Sequence, residues 1–213
     1  MGDGGFSDNT GILSLVARGV TRVVSFNNNL IRIFDDNGNQ PVDSNGVKIC
    51  DTQLPTLFGI EEGKDCNSNQ ISGNSIQIFY PYDYPDIINQ LKTRFLAGGP
   101  TFARKKLKVM SNVLNGVKGG YEVDLLLIVL QPSTKFLNLL PASTKNAIIE
   151  ESKGTSDLLK YKYSNFPNYS TILPDIKKGI VELSKLQVNL LSSFTDWQLM
   201  QPELRAQIID IYS

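Results

Sequence analysis

Asp3 is the carboxylate best placed for chemistry, because Gly4 and Gly5 follow it directly. A carboxyl group with an ordinary pKa near ~3.9 is ionised at neutral pH, and it becomes a useful base only when held against a hydroxyl and partly desolvated. Gly4 and Gly5 permit the close backbone approach and positive φ that such a turn needs. On the tripeptide alone, a flexible N-terminal tail is the simpler reading. A base also needs something to activate. No serine has glycine two residues before and two after it: Ser75 has Gly73 before but Gln77 after, and Ser156 has Gly154 before but Leu158 after. The chain has no histidine, which removes the usual base of a Ser-His-Asp or Cys-His site and the commonest zinc ligand.

Other constellations carry less. Asp35, Asp36, Asn37, Asn39 and Asp43 offer oxygen ligands for calcium but lack the EF-hand order, its glycine and its terminal glutamate, so a solvated turn is the favoured reading. Arg104, Lys105, Lys106 and Lys108 could meet a phosphate headgroup, although the charged start of an exposed strand is the commoner meaning of such a cluster. Tyr80, Tyr82 and Tyr84 beside Pro81 and Pro85 are read as packing rather than as a lipid-facing rim. Asn168-Tyr169-Ser170 is a glycosylation sequon only in a secreted chain. Cys50 and Cys66 lack metal or redox spacing and leave a bridge open. Gly98-Gly99-Pro100 and Gly119-Gly120 stand at element ends, where turn glycines are the default.

The run from Gly2 to Ile12, Gly-Asp-Gly-Gly-Phe-Ser-Asp-Asn-Thr-Gly-Ile, continued by Arg18, Gly19 and Val23-Val24, resembles the Asp-Gly-Gly segment of patatin-like and cytosolic phospholipase-like acyl hydrolases. Phe166 to Thr171, Val181 to Ser184, Gln187 to Leu191 and Trp197 resemble the closing region of the same family. The resemblance implies an α/β fold, a partial three-layer arrangement with a mixed central sheet and flanking helices. Residues 1–213 would be the C-terminal portion of the catalytic domain, with a surface excursion at about 27–74. It implies Asp3 as general base of a Ser-Asp dyad, with Gly4 and Gly5 shaping its turn and no metal or organic cofactor. The serine of a G-x-S-x-G elbow would come from a missing N-terminal portion of the same fold. The implied substrate is a phospholipid or other acyl ester, and the implied setting is cytoplasmic with peripheral membrane contact open. The alternative is a non-catalytic lipid-binding or interaction domain on the same scaffold.

The elements that must position these residues follow from periodicity. Ile12, Leu13, Leu15, Val16 and Ala17 predict a short helix from Asn9 to Arg18, capped by Asn9 or Thr10 and stopped by Gly19. Val20 to Phe26 predicts a strand buried on both faces. Leu54 to Ile60 predicts a short helix or lid, and Ser75 to Tyr80 a strand. A helix opening at Asp83 or Pro85 and running through Phe95 would turn Ile87, Ile88, Leu91 and Phe95 to one face. Lys106 to Met110 and Tyr121 to Leu130 predict a long hairpin whose second strand, the most apolar, is central. Leu137 to Glu151 reads as loop and helix. Ser184 opens a helix bearing Leu186, Val188, Leu190, Leu191, Phe194 and Trp197, and Pro202 starts the last helix, to Tyr212.

Composition bounds the rest. With 213 residues and 41% hydrophobic content the chain can bury a sizeable core. Lys+Arg and Asp+Glu both number 21, so no net field recruits nucleic acid. No stretch approaches the ~20 apolar residues of a membrane span, and no signal-peptide pattern opens the chain. An uncovered edge or face on the Val20 to Phe26 strand would make the chain prone to aggregate alone.

Overall fold

A computed structural model describes residues 10–28, 32–39, 54–60, 76–152, 166–168 and 183–213. Its centre is a three-stranded mixed sheet in the order β1-β3-β2, made of β1 (Arg22–Asn27), β2 (Thr101–Lys108) and β3 (Glu122–Val129). β1 runs parallel to β3, and β2 runs antiparallel to it. β3 is central, as its Leu125-Leu126-Leu127-Ile128-Val129 run predicts, because only a strand covered on both faces can bury consecutive apolar side chains. β2 begins at Thr101 rather than Lys106, since Phe102 and Ala103 find buried partners opposite Ile128 and Leu127.

Helices cover both faces, so the described architecture is α/β. On one face α1 (Ile12–Ala17) and α2 (Tyr84–Leu96) pack Ile12, Val16, Ile87 and Leu91 against Val23, Leu125, Leu127, Ala103 and Leu107. On the other, Leu204 and Ile211 of α6 (Pro202–Tyr212) close over Phe102, Leu126 and Ile128. A third cluster joins α3 (Thr134–Leu137), α4 (Ala142–Ser152) and α5 (Lys185–Met200) through Phe136, Ile148, Phe166, Leu190 and Phe194. Among the described residues no helix is long and apolar enough to cross a membrane.

Several elements depart from the sequence reading. Val20 to Phe26 is not buried on both faces: Val23, Ser25 and Asn27 are buried, while Phe26 is 50% exposed. On that second face Val24 packs in the α6 cluster and Phe26 stays outside it. Residues 76–80 form no strand. Ile78 and Phe79 are both wholly buried, which an alternating strand cannot achieve with one open face, and both amides donate to the Leu57 carbonyl at 3.0 and 2.9 Å. The segment expected as a surface excursion sends Ile33, Phe34 and Leu54 to Ile60 into the core, where the expected short helix is present as a 3-10 turn at Pro55–Phe58. In α5 the apolar face is narrower than expected, for Leu186 and Val188 are largely exposed while Gln198 is buried.

Candidate functional site

β1 and β3 end together at Asn27 and Val129. Beyond the carboxyl ends of parallel strands is where open α/β sheets keep their ligands. The inward face of β1 grows polar in that direction, from Val23 to Ser25 to Asn27. Ser25 Oγ donates to the Thr10 carbonyl at 2.8 Å, and Asn27 Nδ2 donates to Ser25 Oγ at 3.1 Å. Thr10, just before α1, therefore stands at this edge. α1 descends from it to Val16, whose carbonyl accepts the Tyr121 hydroxyl at the opposite end of the sheet.

Where the ladder stops, buried backbone groups need new partners. Two amide side chains supply them. The Leu130 carbonyl accepts from Gln131 Nε2 and Asn168 Nδ2, each at 2.9 Å, and Gln131 Oε1 accepts the Ile33 amide at 3.0 Å. Leu130 N in turn donates to the Asn27 carbonyl at 2.9 Å. Three segments distant in sequence, around Ile33, Leu130 and Asn168, are thereby tied to one strand end. Asn168 is wholly buried with its amide nitrogen engaged, an arrangement opposed to a glycan there.

Beside this network lies a cavity of about 220 Å³. Phe166 and Ile148, both buried, form its floor; Phe95, Pro132, Leu137 and Ile149 line its walls; Leu96, Asp36 and Thr134, all exposed, stand at its mouth. Among the described residues its one cation is Arg32. Arg32 is weakly held: Nη2 donates to the Phe166 carbonyl and Nη1 to Asp36 Oδ1, both at 3.5 Å, the long limit for a hydrogen bond. Its Nε is buried and has no partner among the described residues. Burial pulls the guanidinium pKa below its ordinary value, and the charge of Asp36 opposes this.

The turn beside the cavity is fixed by backbone. Gly98 has φ 68°, and a Cβ there would meet Thr134 Oγ1 at 2.1 Å. Its carbonyl accepts from Ser133 Oγ at 2.6 Å, while the same hydroxyl caps α3 by accepting the Phe136 amide. Gly98 is a structural turn, as its place at a helix end predicts.

Asp3, Gly4 and Gly5 lie outside the described residues, as do Cys50, Cys66 and Asp43. The calcium candidates form a turn: Asp35 Oδ1 accepts the amides of Asn37 and Asn39 at 2.9 and 2.8 Å. Among the described residues no cluster could hold a metal ion. The basic run is divided by strand alternation. Arg104 turns to Asp124 and Asp210, and Lys105 to Asp83 and Asp86, so neither is free for a headgroup. Tyr84 is buried against Phe58, whereas exposed Tyr82 stacks on Tyr80 at 5.2 Å. Arg32, Asn27 and Gln131 escaped the sequence reading; a lone arginine inside Leu30-Ile31-Arg32-Ile33-Phe34 was the available signal. In comparison with known proteins, no family model, no curated protein and no solved structure matches the chain.

Proposed function

We propose that this chain contributes the aspartate half of a lipid acyl hydrolase, with Asp3 as the general base of a Ser-Asp dyad and the nucleophilic serine on polypeptide outside this sequence. The observation that carries the reading is the position of Thr10. The Ser25 hydroxyl ties it to the edge where an α/β enzyme keeps its reactive groups. The lack of histidine is compatible with direct proton transfer from serine to a carboxylate.

The test is chemical. The polypeptide encoded by the complete reading frame is expected to hydrolyse nitrophenyl esters of fatty acids and to take a fluorophosphonate at a G-x-S-x-G serine. Asp3→Asn should lower that hydrolysis by about 10³-fold or more, since a dyad without its base loses its route to the acyl-serine. Stoichiometric fluorophosphonate labelling of a serine within residues 1–213, or full activity in Asp3→Asn, overturns the assignment.

A second reading is a lipid-binding domain without catalysis. It is favoured by the Arg32 cavity, whose apolar lining, among the described residues, includes no serine or cysteine.

A further inference from the structure

We propose that the cavity floored by Phe166 and Ile148 binds a monocarboxylate with a compact apolar tail, its carboxylate paired with Arg32. This rests on the binding reading and is independent of Asp3.

Size limits the ligand first. The cavity holds about 220 Å³. At the ~10–15 Å³ that one water needs in such a volume, there is room for roughly fifteen to twenty waters, ample for an apolar body of about eight carbons. The lining is then apolar except at the mouth and at Arg32. Such a site rewards burial of methylene groups and penalises a second charge. One guanidinium matches one carboxylate, whereas a phosphate dianion would leave most of its acceptors facing Phe166, Ile148 and Leu137.

Arg104 shows what Arg32 lacks. In Arg104 the Nε and Nη2 edge grips Asp124 in two parallel bonds, at 3.0 and 2.7 Å. In Arg32 the same edge meets no carboxylate among the described residues: Nε has no partner there and Nη2 has only the 3.5 Å contact to a carbonyl. Asp36 approaches the other edge, through Nη1, and its side chain is 91% exposed. It therefore neither occupies the fork nor projects into the apolar floor. Nε is occluded as the side chain stands, so gripping a ligand requires the guanidinium to turn. Among the described residues, the hydrogen bonds to be broken in that turn are the two long ones, to Phe166 and Asp36.

The experiment is a calorimetric titration of the full chain with octanoate, octanol and octylammonium. Octanoate is expected to bind at least tenfold more tightly than octanol, and octylammonium most weakly. Arg32→Gln should erase the preference for octanoate while leaving octanol affinity within twofold; Leu96→Trp, which narrows the mouth, should weaken both. Asp36→Asn should leave octanoate binding equal or tighter, and Asp3→Asn should not change it. Should Arg32→Gln fail to fold, the octanoate-to-octanol ratio in the unaltered chain still decides. Equal binding of octanoate and octanol overturns the carboxylate assignment and spares the lipid-binding reading. Preference for octylammonium, weakened by Asp36→Asn, overturns it in favour of a cation. No binding of any of the three overturns both.

Discussion

Arg104 is the residue through which the sheet and its outer helix are joined by charge. From β2 it reaches Asp124 on β3 by two bonds and Asp210 on α6 by one of 2.6 Å, with Gln207 adding a fourth contact. The hydrogen bonds from Arg104, with its charge, hold the Asp124 carboxyl below the usual carboxylate range. A depressed folded-state pKa means stability that is present above the unfolded value and is lost as pH falls through the folded one. The Arg104 pair should thus contribute fully at neutral pH and fade below about pH 4. Asp124→Asn is expected to cost about 1–2 kcal/mol at pH 7, discounted for the partial exposure of the pair, and to flatten the acid limb of the stability curve. Urea melts of both proteins between pH 7 and pH 2 check this. Asp86, lowered by its bond to Lys105, slopes the same way in both, so the difference curve isolates Asp124. An identical acid limb would show the pair to be energetically silent.

Among elements, α5 has the clearest start. Ser184 Oγ accepts the Gln187 amide and Gln187 Oε1 accepts the Ser184 amide, a reciprocal capping box. Ser184→Ala is expected to cost about 1 kcal/mol in thermal or urea melts, and a change under about 0.3 kcal/mol would mean that packing alone sets this end. That boundary was legible because Ser184 and Gln187 are local partners. So was the centrality of β3, because a continuous apolar run permits no open face. The misreadings share a cause: each was decided by a distant partner. Ile78 and Phe79 look like a strand until Leu57 takes both their amides. The polar stretch around Arg32 looks like surface until Gln131 binds Ile33 and Phe34 reaches Phe95, 5.5 Å between rings. The candidate site is hidden for the same reason, since Ile33, Gln131 and Asn168 meet only after the chain has folded.

At the scale of the molecule, the described sheet has two edges, one guarded by charge and the other not. β2 is an edge strand guarded by charge: Lys106 and Lys108 are exposed, and Lys105 is paired to the start of α2. β1 is the opposite edge, and among the described residues no strand pairs with its outer side. Its middle is protected, with Val23 under α1 and Val24 in the α6 cluster. Its carboxyl end is not, because Phe26 leaves half its surface in water beside unpaired backbone. Edge backbone next to an exposed aromatic is the combination that recruits a second strand. We expect the chain to self-associate through β1 as concentration rises. Phe26→Lys should suppress this, because a charge at the edge must be desolvated for another strand to dock. The substitution gives up the buried half of the ring, part of which the lysine stem can cover, so stability should fall by no more than about 2 kcal/mol. Light scattering across a concentration series, run beside a urea melt, separates the two effects. Undiminished scattering by the lysine variant while it remains folded would place the sticky surface elsewhere, and the exposed Val113 and Leu114 at the hairpin tip would be the next to substitute.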